Sequence, residues 1–234
     1  MTKAPAVLVF DVNETLVDIG SLTPLFDRIF GDRRAVREWF SQVLTYSMTV
    51  TMAGNYVDFF TLGQGALRML GSIHHVDVTD DDARDLKQAM LSMPAHPDVA
   101  AGLEELRNNG FRLATLSNSP PNPDGTNSVE RAGLAHFFEQ QLSVHACRAF
   151  KPAATVYRYA CEQLAVSPAD CMMVAAHAWD VMGAQAAGFS GALITRPGNA
   201  ALPIPDLAQP TVIATDLRDL AAKLTNQQAQ TSTG

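Results

Sequence analysis

Cysteine, clustered positive charge and long apolar runs are scarce in this sequence, and each scarcity narrows the field. The three cysteines, Cys147, Cys161 and Cys171, form an odd set without CxxC spacing. They read as reduced thiols packed in the core of a cytosolic protein, outside any metal site. The 17 basic residues are scattered among 24 acidic ones, for a formal net charge of -7. That balance argues against polyanionic partners, so neither nucleic acid nor an acidic membrane surface is expected. The first apolar run, Ala6 to Phe10, ends on Asp11. A signal peptide or a membrane span needs a longer one. No internal repeat is present.

What the chain does have is alternation. Short apolar runs at Ala6 to Phe10, Phe111 to Leu116, Gln141 to His145, Cys171 to Ala175 and Ala192 to Thr195 are separated by helical patterns. The helices are expected near Asp98 to Asn109, Ala153 to Leu164 and Trp179 to Ala187, with Gly110 and Gly188 closing the first and the last. Strand–helix alternation of this kind predicts an α/β fold, a Rossmann-like, doubly wound, mostly parallel sheet covered on both faces. Residues 19–94 break the pattern. Phe26, Ile29 and Phe30, then Val36, Trp39, Phe40, Val43 and Leu44, then Phe59, Phe60, Leu62, Leu67 and Leu70 recur at helical spacing. They predict a helical cap inserted after the first strand. The core is then expected over 1–18 and 95–225, with a frayed polar tail over 226–234.

In open α/β sheets ligands bind beyond the carboxyl ends of the strands, where strand order reverses. Four polar clusters fall at such ends: Asp11 to Thr15, Ser117-Asn118, Lys151-Pro152, and His177 to Asp180. Alone, each has an ordinary explanation, a helix cap or a solvated loop. Together they would bring two carboxylates, a cation and several hydroxyl and amide donors to one rim.

Phe10-Asp11-x-x-x-Thr15-Leu16, then Leu116-Ser117-Asn118, then Lys151-Pro152, then Asp180 resembles the haloacid dehalogenase superfamily over nearly the whole chain. With Tyr157 after Lys151 and Ala178-Trp179-Asp180 before Gly183-Ala184, it is most similar to the type II (S)-2-haloacid dehalogenases. The resemblance implies a hydrolase in which Asp11 attacks carbon, displaces a halide from a short-chain 2-haloalkanoic acid and forms an ester that water hydrolyses. It implies that Lys151 keeps Asp11 ionised and that Asp180 orients Lys151 or helps activate water. Thr15 and Ser117 would position Asp11 and the substrate carboxylate. Asn118 would receive the departing anion, with Tyr157 packed near Lys151. Val12, Asn13, Phe40, Leu44, Phe59 and Trp179 complete the expected substrate site, whose aromatic wall suits two to four carbons. No cofactor and no metal are implied; a homodimer through the cap is.

Two residues bear on the superfamily's commoner phosphatase activity. The position two after the nucleophile holds Asn13, which cannot donate and recover a proton as the phosphatase aspartate does. The fourth motif offers a single carboxylate, Asp180, where a hard divalent ion wants several oxygens. The sequence also departs from the dehalogenase pattern. Phe40 follows Trp39 where the family carries a halide-binding Arg, and the nearest cations are Arg33, Arg34 and Arg37. Ala176-His177 replaces a Ser-Asn pair. His177 is therefore expected to bind the hydrolytic water, act as a general base, or donate a proton to a leaving group. Asn13-Glu14 replaces an aromatic residue and Gly, with Glu14 expected to turn away from the nucleophile. Three alternatives stay open: hydrolysis of a C–N bond, as in azetidine-2-carboxylate ring opening; a phosphatase; and a non-catalytic binding protein.

Overall fold

The computed structural model describes residues 5–122 and 125–232. Its centre is a six-stranded, all-parallel sheet of order β3-β2-β1-β4-β5-β6. The strands are β1 (Val7–Phe10), β2 (Arg112–Ser117), β3 (Gln140–Ser143), β4 (Cys171–Ala175), β5 (Ser190–Ile194) and β6 (Val212–Ala214). Both β1 and β4 are buried along their whole length. Helices on the two faces remove every side chain from water, which is why these strands read as unbroken apolar runs. β1 pairs with β2 on one side and β4 on the other, so strand order reverses at β1. The crevice beyond Phe10 is the topological switch point.

Four helices follow β1 as an insert, ahead of the helix that leads into β2: α1 (Thr23–Phe30), α2 (Ala35–Met52), α3 (Phe59–His74) and α4 (Asp80–Leu91). They share a core around Phe26, Trp39, Leu67, Leu70 and Leu86. The Trp39 indole donates to the Gly63 carbonyl at 2.8 Å and packs on Phe26 with ring centroids 5.2 Å apart. Local signals start two of these helices. Asp58 caps α3 through the amides of Phe60 and Thr61, and Thr79 with Asp82 forms a reciprocal capping box on α4. The remaining helices are α5 (Val99–Asn108), α6 (Ser128–Arg131), α7 (Ala154–Leu164), α8 (Ala178–Ala186) and α9 (Leu217–Ser232). Among the described residues no helix is long and apolar enough to cross a membrane.

The fold departs from the sequence expectation at four places. β3 stops at Ser143, because the Ser143 hydroxyl accepts from the His145 amide and turns residues 144–147 into a 3-10 helix. β5 begins at Ser190 and ends at Ile194, displaced towards the N-terminus from the expected run. β6 is an addition; three residues with only the middle one, Ile213, exposed are too few for an alternation to register. The final helix α9 runs into residues 226–232, a stretch whose polarity reads as a frayed tail.

Candidate active site

Asp11 follows β1 directly, with its amide bonded to the Val174 carbonyl of β4 at 3.0 Å. The backbone there is fixed by the sheet, so the carboxylate is aimed by the strand and not by a loose loop. Each carboxylate oxygen has one strong donor. Lys151 Nζ reaches Oδ1 at 2.7 Å, and Thr15 Oγ1 reaches Oδ2 at 2.7 Å. Thr15 is itself fixed, accepting from the Ala176 amide at 2.9 Å. Lys151, fully buried, gives a second bond to Asp180 Oδ2 at 2.6 Å. Asp180 lies in the first turn of α8, where a negative charge meets the positive end of the helix dipole. Its other oxygen accepts from the Tyr157 hydroxyl at 2.7 Å.

One ammonium between two carboxylates sets the charge states. Burial opposes ionisation of Asp11, but Lys151 and then His177 outweigh it and hold the carboxyl far below the usual range. Burial likewise opposes the Lys151 ammonium, and Asp11 and Asp180 raise it above its ordinary value. Asp180 moves up, first through burial, with Lys151 pulling against the shift and the charge of Asp11 adding to it. The Tyr157 hydroxyl is pushed well above its usual range by burial and by Asp180, so it remains a donor. Asp11 is therefore the more readily ionised member of the pair.

His177 stands at the end of β4, between the rings of Phe40 (5.8 Å between centroids) and Trp179 (5.2 Å, stacked at 26°). Its Nε2 meets Glu14 Oε2 at 2.8 Å, while Nδ1 lies 3.4 Å from Asp11 Oδ2, an ion-pair distance without hydrogen-bond geometry. Burial disfavours the imidazolium, but Asp11 and Glu14 reverse this and raise His177 to about 9.

A small cleft, partly open to solvent, lies against this group. Its walls are Asp11, Asn13, Phe40, Leu44, Phe59, Asn118, His177 and Trp179. Eight expected site residues thus meet around one space. Phe40 and Leu44 reach it from α2 because they lie four residues apart on one helix face. Asn118 accepts from the Lys151 amide through Oδ1 at 3.2 Å, so its NH2 is not engaged by that contact. Asn13 Oδ1, His177 Nδ1 and Trp179 Nε1 are buried without a hydrogen-bond partner.

Four residues sit otherwise than expected. Ser117 does not reach Asp11; its hydroxyl accepts from the Ser119 amide at 3.0 Å. With Val12 it lines a second cavity of about 420 Å³ whose walls carry no charged side chain. Tyr157 stands behind Asp180 and does not line the smaller cavity. Glu14 does not turn away. It is buried, points at His177, and has φ of 68°, the conformation that explains glycine as the family's habit there. Arg37, the nearest cation to the missing arginine, pairs with Glu14 outside the cavity.

Sequence reasoning missed the contact of Glu14 with His177 and the clamp on Thr15. Arg196, buried, donates to the Thr15 carbonyl at 3.0 Å and to Asp98 at 2.6 and 2.9 Å. No motif announces a side chain that acts on a main-chain carbonyl. Glu14 did leave a signal: two departures from the family pattern, Glu14 and His177, are complementary in charge.

Known proteins resemble this chain in sequence and fold. A family model for haloacid dehalogenase-like hydrolases matches residues 5–188. The (S)-2-haloacid dehalogenase 4A of Burkholderia cepacia is 32% identical over 85% of this chain and 87% of its own length. The (S)-2-haloacid dehalogenase 1 of Pseudomonas sp. (strain CBS-3) is 34% identical over 80% and 83%. Among solved structures, L-2-haloacid dehalogenase from Xanthobacter autotrophicus with chloropropionic acid covalently bound superposes with a TM-score of 0.82. It is 27% identical and covers 93% of this chain and 97% of its own. With a family match over most of its length and this fold around Asp11, the chain belongs to the haloacid dehalogenase-like hydrolases and is a 2-haloacid dehalogenase-like enzyme.

Proposed function

We propose that the enzyme hydrolyses short 2-haloalkanoic acids of the (S) series to 2-hydroxy acids through an ester on Asp11. The observation that carries this reading is Asp11 itself: an ionised carboxylate with a fixed donor on each oxygen, facing a small, largely apolar cavity. Its aromatic and aliphatic walls, Phe40, Leu44, Phe59 and Trp179, suit a short aliphatic acid. The relative from Xanthobacter autotrophicus with covalently bound chloropropionic acid supports the same chemistry.

In the first step an Asp11 oxygen attacks C2 from the side opposite the halogen, and the halide leaves with the bonding pair. The other oxygen becomes the ester carbonyl and keeps its donor, Lys151 or Thr15, which polarises it for the second step. Esterification removes the negative charge of Asp11 that helped keep His177 protonated. The imidazolium then loses a proton, which leaves as the acid equivalent of the halide. Neutral His177 Nδ1 next takes a proton from water as the hydroxide adds to the ester carbonyl. Collapse expels the alkoxide, which recovers a proton from the new Asp11 carboxylic acid. Atoms and charge balance to one 2-hydroxy acid, one halide and one proton.

The reaction needs no metal. The lone pairs of Asp11 and Asp180 that a divalent ion would use are directed at Lys151, Thr15 and Tyr157. Phosphatase activity is further disfavoured by Asn13 in the acid position. A second reading, hydrolysis of a strained C–N bond, is favoured by one observation: His177 is the cavity-lining group able to bring a proton to an amine. Halide release from fluoro-, chloro- and bromo-acids of both hands, run beside azetidine-2-carboxylate, separates the two. Chloride from (S)-2-chloropropionate supports dehalogenation; ring opening without halide release would overturn it.

A further inference from the structure

Glu14 occupies a left-handed backbone position, where a non-glycine residue persists only if its surroundings fix it. What fixes it is an ion pair at each oxygen. Oε2 meets His177 Nε2 at 2.8 Å, and Oε1 meets the guanidinium of Arg37. Arg37 comes from α2 of the insert, three residues before Phe40, so both share the helix face turned to the site. Its Nη2 also donates to the Pro197 carbonyl at 2.8 Å, and its guanidinium lies against Gly198, where a Cβ would approach Cζ to 3.3 Å. One insert side chain therefore touches two loops of the sheet domain.

The result is an alternating row of charges: Arg37, Glu14, His177, Asp11, Lys151, Asp180. These are also the charged groups around the imidazole, coming from α2, the β1 loop, the loop before α7, and α8. His96 bonds the Glu14 carbonyl at 3.1 Å and Arg196 bonds that of Thr15. Arg37 could serve as an anion ligand in the cavity only by leaving Glu14, which would leave one oxygen of a buried carboxylate without its cation.

We propose that Arg37 and Glu14 are a positioning pair for His177: Arg37 holds Glu14, and Glu14 retains the Nε2 proton so that Nδ1 exchanges a proton with the hydrolytic water. The pair rests on the aspartyl-ester reading and adds a consequence. The base is aligned only when the insert is seated on the sheet domain, so ester hydrolysis depends on a residue that never touches substrate. Ester formation, driven by Asp11 and Lys151, does not.

Single-turnover kinetics with excess enzyme and (S)-2-chloropropionate test this, following chloride, 2-hydroxy acid and intact-protein mass together. In Arg37→Gln and Glu14→Gln the chloride phase should stay within about threefold of wild type. Ester decay should slow by about 10- to 100-fold, with the Asp11 adduct visible by mass. Arg37→Lys, which keeps a charge, should recover part of the decay rate, and Glu14→Gln should shift the pH profile of ester decay. Loss of the chloride phase with unchanged decay would make Arg37 an anion ligand and overturn the proposal, as would wild-type decay in both glutamine variants. Wild-type enzyme that releases chloride without an Asp11 adduct would instead overturn the aspartyl-ester reading.

Discussion

At the scale of single residues the site is governed by which buried groups keep their charge. His177 has the clearest consequence for pH. An imidazole raised from 6.5 to about 9 contributes its full stabilisation below about pH 6.5 and loses it as pH rises through about 9. A shift of that size corresponds to roughly 3 kcal/mol. Urea denaturation between pH 6.5 and 9.5 should show wild type losing more stability than His177→Asn across this window; parallel curves would contradict the assignment. Tyr157 makes a second prediction. Tyr157→Phe leaves Asp180 Oδ1 buried without its 2.7 Å donor, at a cost of about 1–3 kcal/mol. A lowered urea midpoint with reduced turnover is expected, and an unchanged midpoint would mean that Asp180 finds another donor.

At the scale of elements, the site depends on how closely α8 approaches the loop that carries Lys151. Gly183 makes that approach possible, because a Cβ there would lie 2.4 Å from Pro152 Cβ and 2.8 Å from the Tyr157 hydroxyl. Gly183→Ala should push α8 and Asp180 away from Lys151, lowering stability by about 1–3 kcal/mol, read as a fall in the thermal midpoint and in activity together. An unchanged midpoint would show that the loop yields freely. Elements were legible from sequence where their periodicity was long or their burial complete: β1, β4 and the insert helices. They were not legible where a single hydrogen bond decided the outcome, as at Ser143, or where three residues made a strand, as in β6. Helix α2 shows the limit well. Spacing placed Phe40 and Leu44 on one face, but not the reach of Arg37, whose side chain is decided by a partner 23 positions earlier in the chain.

At the scale of the whole molecule, the parallel sheet brings four distant segments to one crevice, and the insert closes it with Phe40, Leu44 and Phe59. Strand-end position made Asp11, Lys151, Asp180 and His177 recognisable without coordinates. The expectation that Ser117 positions Asp11 fails because adjacency in sequence says nothing about which way a hydroxyl turns, whereas Tyr157, expected near Lys151, meets it through Asp180. The pairing of Glu14 with His177 stayed hidden because it depends on a left-handed turn that only the folded chain reveals. Removal of the proposed nucleophile tests the assembly as a unit: Asp11→Asn should fold, since its amide oxygen can still accept from Lys151, which also keeps its bond to Asp180, yet release no halide. The most direct test of the central claim is a single turnover of the enzyme, in excess over (S)-2-chloropropionate, in ¹⁸O-water. An ester on Asp11 predicts one ¹⁸O in the peptide containing Asp11 and an unlabelled 2-hydroxy acid. Label in the hydroxy acid, with none on Asp11, would mean that water attacks the substrate directly and would contradict the account.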